Sequence, residues 1–259
     1  MCNNNIKFGL FLSKIDDSFE KVASGHYAQN YEEDGVYYLK KTPDPIKDQT
    51  YFLCNLKQEQ LKRILFPIGQ YTKEEVRELA KKFNLPNKDR KDSQGICFLG
   101  KVKYSEFIKH YLGEKKGDIV ELETGRVLGQ HQGFWYYTVG QRKGLEIGGI
   151  KGSNGKPLYV VKKDTEKNII YVSQNYHDDE KKRNKLNVGS FNWFAGKRPE
   201  KKELQVKLRH GEHLYNCQIN FLSDTSAEVT LDSDDQGIAE GQFAAFYDGE
   251  ICLGCGVII

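Results

Sequence analysis

The 259-residue sequence predicts an α/β segment followed by all-β structure, and three observations carry that expectation. A capped helix signal stands inside the first hundred residues. The texture turns to short strands after about Ser105, and apolar and polar residues alternate strictly through much of the last eighty. The expected divisions are a mixed α/β part over 1–104, a small β-rich middle over 105–178, and a closed β-barrel over 179–259.

In the first part, Val22-Ala23-Ser24 reads as a buried strand that delivers Gly25 and His26 at its C-terminal end, where open α/β sheets gather ligands. A lone histidine is more often a structural residue. Gln58 to Leu65 reads as a short helix closed by Pro67. Thr72 and Glu75 form a capping box, after which Val76, Leu79, Ala80 and Phe83 fall on one helix face before Asn84 and Pro86 end the helix. That stripe is expected to face a core.

Ser105 is placed to cap a helix through about Leu112. Strands follow after Gly117, first Asp118 to Glu123, with turns at Thr124-Gly125 and Gly148-Gly149. Gln141-Arg142-Lys143-Gly144 sets two cations on a glycine-bounded loop, suited to an RNA backbone or to a plain surface turn. Farther on, Leu204, Val206 and Leu208 alternate with Gln205, Lys207 and Arg209. Tyr215, Cys217, Ile219 and Phe221 alternate with Asn216, Gln218 and Asn220. Each strand then has one wet face, and Arg209 points out of the barrel. Asp248-Gly249 predicts a two-residue hairpin turn.

A hydrophobic content of 38% is enough for a buried core in two or three small domains. No apolar run reaches membrane-spanning length and the N-terminus shows no basic-then-apolar signal, so a cytoplasmic location is expected. Six cysteines, at positions 2, 54, 97, 217, 252 and 255, are too sparse for a disulfide scaffold and suit a reducing compartment with one or two working thiols. Cys252 and Cys255 make a poor metal pair, because residues three apart on a strand face opposite ways. The net charge of +3 does not announce a nucleic acid. Two local clusters, Lys181-Lys182-Arg183-Asn184-Lys185 and Lys197-Arg198-Pro199-Glu200-Lys201-Lys202, can meet phosphates or stand as solvated loops.

Lys91-Asp92-Ser93-Gln94-Gly95-Ile96-Cys97-Phe98-Leu99-Gly100 sets one thiol in a polar, glycine-flanked stretch. Lys91 and the backbone at Gly95 could stabilise a thiolate there, although a lone cysteine also serves as a small buried hydrophobe. The run resembles the second-cysteine motif of the tRNA-specific 2-thiouridylase family. Further family-like segments follow the same order: Cys2-Asn3 with Ile6-Lys7-Phe8-Gly9, Gly25-His26-Tyr27-Ala28, and Lys47-Asp48-Gln49-Thr50-Tyr51-Phe52-Leu53. Phe66-Pro67-Ile68-Gly69, Tyr137 to Leu145, Gly241-Gln242 and Phe246-Tyr247-Asp248-Gly249-Glu250 complete the series.

This resemblance implies a tRNA sulfurtransferase that 2-thiolates the wobble uridine, built from an adenine-nucleotide-hydrolase-like α/β domain, a β-rich middle domain and a barrel. In that chemistry ATP, with magnesium, adenylates the uracil oxygen, and Cys97 carries sulfur as a persulfide received from a relay donor protein. Cys2 is implied as the resolving partner, leaving a disulfide, a step that requires the two Cα atoms within about 7 Å. Gly25 matches the ATP-contacting glycine. His26, Lys47, Asp48, Gln49, Arg209, His210 and Gln242 match positions that touch the anticodon arm of tRNA, with His210 standing where tyrosine is more usual. The family's Ser-Gly-Gly-Val-Asp-Ser phosphate loop is not in the sequence, which opens inside the first-cysteine motif. An N-terminally truncated enzyme is therefore expected, with a catalytically inactive tRNA-binding remnant as the alternative. A cysteine hydrolase using His26 lacks an orienting acid at a recognisable spacing. A shortened α/β sheet is further expected to leave apolar surface exposed.

Overall fold

The computed structural model describes residues 2–16, 18–89, 104–142, 144–145, 147, 157–175, 183–235 and 237–259. Cys97 with its whole motif, Lys143, the Gly148-Gly149 turn and Lys181-Lys182 lie outside the described residues. The chain divides into two compact units. One holds Met1–Asp89, Arg183–Asp234 and Ile238–Ile259; the other holds Arg90–Lys182 and Asp235–Gly237.

The first unit opens on a π-helical segment, Cys2–Leu10, continued by the wide-turn hydrogen bond from Phe11 N–H to Ile6 O at 3.0 Å. Strand β1, Val22–Ala23, lies parallel to β4, Ile64–Leu65. Between them come β2, Gln29–Glu33, and β3, Val36–Lys40, joined by Asp34 and Gly35, both at positive φ (49° and 77°). Positive φ at both central residues is what a type I′ hairpin requires. Helices α1, Thr50–Leu53, and α2, Gln58–Lys62, precede β4, and α3, Lys73–Lys82, follows it.

Three local expectations change here. The helix expected through Leu65 stops at Lys62, because Arg63 and Leu65 carbonyls accept hydrogen bonds from Val22 and Ser24, so strand pairing overrides helix continuation. Strand β1 is edge-like, with Val22 partly buried and Ala23 exposed. The α3 capping box forms as expected, Thr72 Oγ1 accepting from Glu75 N–H, yet no residue of α3 is buried and Phe83 is 66% exposed. Amphipathic spacing fixed the helix without providing a core to cover its stripe.

The second unit contains α4, Tyr104–Leu112, and strands β5, Gly117–Glu121, β6, Val127–His131, β7, Tyr159–Asp164, and β8, Ile169–Ser173. Their order is β6-β5-β8-β7, with β5 and β8 parallel. Ile119, Val160, Ile170 and Val172 form its core with Tyr137 and Leu145. His131 is buried at the strand end. It accepts from Gly133 N–H at Nδ1, leaving Nε2 to donate to Asn168 O at 3.1 Å, and burial lowers its pKa.

The C-terminal strands are β9, Arg183–Trp193, β10, Glu203–Lys207, β11, Tyr215–Phe221, β12, Ser226–Asp235, β13, Phe243–Asp248, and β14, Ile251–Ile258. The ring β13-β10-β11-β12-β9-β14 closes through β13–β14, the six-stranded barrel that the alternating pattern predicts. The final hairpin turns one residue later than expected. Asp248 pairs with Ile251, so Gly249 and Glu250 form the turn, with Gly249 at φ 58° in its first position. Gly254 is held at φ 137°, where a Cβ would sit 2.0 Å from Asn192 O; only glycine lets β14 approach β9 this closely.

Strand β14 also pairs with β3, Ile251 with Lys40 and Cys252 with Leu39, so the early hairpin continues the barrel's sheet. One core cluster accordingly joins Phe8, Leu39, Leu53, Leu61 and Ile64 to Phe194, Ala245, Tyr247 and Cys255. A bulge sits in the same place: Tyr247 pairs with Cys252 but Phe246 with Gly254, leaving Leu253 as the extra residue. The bulge turns Cys252 and Cys255 into one core beside Cys54, against the expectation that they face opposite ways. Burial raises the pKa of Cys54 and Cys252, as befits inert thiols.

Candidate functional site

The described residues that sequence reading singles out come from five separate stretches, and a chain of short contacts within the first unit strings them together. Cys2 is a free, half-buried thiol at the start of the π-helical segment. Its neighbour Asn3 donates Nδ2–H to Phe52 O at 3.0 Å, and the Phe52 ring stacks on His210, centroids 4.6 Å apart and 29° from parallel. Gln60 fixes the same segment by donating to Asn4 O and Phe8 O, both at 2.8 Å.

Gly25 and His26 follow β1. Gly25 is exposed, with nothing within 4 Å of where a Cβ would stand, so a ligand could approach its backbone. His26 is buried between Phe8 and Phe66, its Nδ1 2.7 Å from Ser24 Oγ. Burial, helped by the nearby Lys7 charge, lowers its pKa to about 4, so the ring is neutral at physiological pH. Tyr27 binds Gln49 twice, donating N–H to Gln49 Oε1 at 2.9 Å and accepting Gln49 N–H at 2.8 Å. The Gly25-His26 loop is thus clamped to Lys47-Asp48-Gln49.

Asp48 is the least accessible of the expected site residues that are described. Its Oδ2 accepts from Lys207 Nζ at 2.8 Å and from Thr50 Oγ1 at 2.8 Å, while Oδ1 has no hydrogen-bond partner among the described residues. The ion pair is almost wholly buried, the side chains 3% and 1% exposed. Lys207, placed on the wet face by simple alternation, is therefore buried together with Val206 and Leu208. The outer side of β10 at this end is covered by the segment that carries Asp48. Thr50 Oγ1 lies 2.9 Å from Tyr247 Oη, extending the network into the barrel core.

Tyr51 ties down the other side. Its hydroxyl is shared between Leu208 O at 3.1 Å and Phe243 O at 3.2 Å, the residues just before Arg209 and just after Gln242. Burial pushes the Tyr51 phenol up to about 12. Arg209 and His210 are exposed; burial of part of the ring, then the Lys207 and Lys47 charges, lower the His210 pKa against an opposing Asp48. A neutral imidazole stacked on Phe52 presents a flat, weakly hydrated edge beside two cations, which suits a nucleobase next to its phosphate.

The structure therefore brings together Cys2, Gly25, His26, Lys47, Asp48, Gln49, Arg209, His210 and Gln242 through direct contacts or adjacent residues. The roles of Thr50, Tyr51, Phe52 and Lys207 as positioning groups were not assigned from sequence. The aromatic pair directly after Lys47-Asp48-Gln49 was the available signal for two of them. No group of three or more His, Cys, Asp or Glu side chains fit for a metal occurs among the described residues, and no helix there is long and apolar enough to cross a membrane.

Comparison with known families agrees with this architecture. The tRNA methyl transferase HUP domain matches residues 1–101, the tRNA methyl transferase PRC-barrel domain 105–174, and the aminomethyltransferase beta-barrel domain 183–258. An α/β HUP part, a PRC-barrel part and a six-stranded barrel in this order define a tRNA-modifying transferase. Relatives called tRNA-specific 2-thiouridylase MnmA are 44% identical in Parabacteroides distasonis, over all of this chain and 72% of the relative, and 44% identical in Shewanella sp. strain MR-4, over all of this chain and 70% of the relative. A relative in Bacteroides thetaiotaomicron, tRNA-specific 2-thiouridylase MnmA 1, is 42% identical over all of this chain and 73% of its own length. The chain belongs to the tRNA-specific 2-thiouridylase family.

Proposed function

We propose that this chain 2-thiolates the wobble uridine of tRNA in the cytoplasm, with Cys97 as the persulfide carrier and Cys2 as the resolving thiol. One observation carries the reading: Cys2, the Gly25-His26 loop, Lys47-Asp48-Gln49 and Arg209-His210 are held in one contact network although they lie at opposite ends of the sequence. A flipped uridine would stack near His210 and Phe52, with Lys47 and Arg209 on the flanking phosphates.

In this reading Cys2 thiolate attacks the inner sulfur of the Cys97 persulfide. A Cys2–Cys97 disulfide forms, hydrosulfide leaves and adds to uracil C2, and the activated oxygen departs. A thiol reductant returns both cysteines to their starting state. Bound ATP supplies the adenylyl group that activates the oxygen. Of the described residues, exposed Gly25 is the one suited to lie against it, and the family's Ser-Gly-Gly-Val-Asp-Ser phosphate loop is not in the sequence. A relay protein delivering the sulfur and the anticodon arm of tRNA are the partners.

The test is a reconstitution with tRNA, ATP, magnesium and a persulfide donor, reading 2-thiouridine by mass spectrometry of digested tRNA. Wild type is expected to form it, Cys97→Ser to lose it, and Cys2→Ser to accumulate the Cys97 persulfide. Thiolation by Cys97→Ser would overturn the assignment. Tight tRNA binding with no product from wild type would instead identify a binding remnant.

A further inference from the structure

The basic cluster at Lys197 to Lys202 has no part in the network above, and its surroundings are those of a second site. Phe191 and Trp193 alternate on β9, so their rings share a face; they stack with centroids 5.1 Å apart and 15° from parallel. Phe221, the last residue of β11, meets them edge-on at 5.8 and 6.2 Å. The Arg198 guanidinium lies 5.2 Å above the Phe221 ring. All three rings remain partly open to solvent, unlike Phe246 beneath them, which is fully buried.

Two cavities flank this aromatic end of the barrel, of about 470 Å³ against Phe221 and about 550 Å³ against Phe191 and Trp193, and both are lined by Lys197 and Arg198. Those volumes fall in the range of small-ligand pockets. Charge points to the class of ligand. Lys201 pairs with Asp248, and Arg198 faces Asp224 at 3.9 Å with both side chains largely exposed, a weak tie. Lys197 and Lys202 have no ion-pair partner among the described residues. At the cavity rim Ser190 is held at φ 50°, the kind of local strain that concentrates at binding sites. The three rings pack on the barrel core, and their solvent-open sides with the Arg198 guanidinium over Phe221 are what a ligand would meet.

We propose that this end of the barrel is a second RNA-binding site, separate from the thiol site, that stacks one unpaired base on the Trp193–Phe221 aromatic cluster and takes its phosphate on Lys197, Arg198 and Lys202. The proposal rests on the reading of the chain as a tRNA enzyme and adds where a second stretch of RNA is gripped. Stacking accepts any base, and the cations make binding salt-dependent. Asn192, between the two aromatic residues, donates to Leu56 O at 2.9 Å and accepts from Lys57 Nζ at 2.8 Å, so the platform is braced against the segment that follows Phe52.

Trp193 is one of two tryptophans, so Trp135→Phe leaves it as the sole reporter. The full chain in that background is titrated with single-stranded RNA of about ten nucleotides while Trp193 emission is followed. Saturable quenching is expected, weakened roughly tenfold by the exposed double change Arg198→Ala with Lys202→Ala, and with a salt slope smaller by about two. Duplex RNA of equal length is expected to quench much less. Absence of quenching, insensitivity to the double change, or equal quenching by the duplex would overturn the proposal. Quenching without any tRNA thiolation would leave this site standing and sink the functional reading; thiolation without quenching would do the reverse.

Discussion

Replacing Lys207 by methionine removes one half of the buried pair with Asp48 and keeps most of the side-chain volume. At 2.8 Å the pair attracts with about 6 kcal/mol for an effective dielectric constant near 20, a gain offset by the cost of stripping water from both groups. What decides the outcome is the charge left behind. Asp48 is 1% exposed, its Oδ1 already lacks a partner among the described residues, and after the change only Thr50 would donate to it. An uncompensated buried charge costs about 3–5 kcal/mol. For a chain of this size each kcal/mol lowers Tm by about 2–4 °C, so Lys207→Met should melt roughly 6–20 °C below wild type. Adding Asp48→Asn should recover most of the loss, because the orphaned charge disappears. Calorimetry of the two single variants and the double variant measures the coupling. A Lys207→Met protein within about 1 kcal/mol of wild type, or a double variant no better than it, would refute the argument. Since the Lys207 charge also helps to depress the His210 pKa, after partial burial, imidazole resonances of the variant should titrate at higher pH.

His26 supplies a pH test. Its folded pKa of about 4 lies below the unfolded value near 6.5, so the unfolded chain takes up a proton that the native one refuses. Stability contributed by the neutral ring is complete above pH 6.5 and falls by up to about 3 kcal/mol as pH drops toward 4; urea midpoints across that window should shift in wild type and stay flatter in His26→Gln. Tyr51→Phe deletes the donor shared by Leu208 and Phe243 carbonyls, and should cost about 1–3 kcal/mol while weakening tRNA binding through Arg209 and Gln242; unchanged tRNA affinity in a filter-binding assay would deny it a positioning role. Alkylation of the native protein with iodoacetamide should reach Cys2 and spare Cys54, Cys217 and Cys252, whose pKa values burial raises, until denaturant is added. Peptide mass mapping that finds Cys252 labelled as fast as Cys2 would contradict the buried assignment.

Elements with strong local periodicity were legible in the sequence. The α3 capping box, the alternation from Tyr215 to Phe221 and the ring of strands at the C-terminus all follow from patterns a few residues long. What escaped was set by partners far away. Lys207 follows the alternation of β10, yet its surroundings are decided by Asp48, so period alone assigned it to water. Cys252 and Cys255 share a side only because of a bulge, which no spacing rule reveals. The Asp34-Gly35 turn went unread although its dipeptide is a hairpin signal, and nothing local says that this hairpin will dock on β14. Candidate site residues were singled out through family-like motifs rather than chemistry, and this is why the motifs pointed to Lys47-Asp48-Gln49 while the residues that orient it, Thr50, Tyr51 and Lys207, went unassigned.

The pairing of β3 with β14 has a consequence for biosynthesis. Lys40 finds its neighbour Ile251 only after β14 has left the ribosome, so the β2–β3 hairpin keeps an open edge until that strand is made. Completion of β14 would then close the barrel and cover the β3 edge in a single late step, and a nascent chain stalled before it would hold Cys2 on an unfinished scaffold.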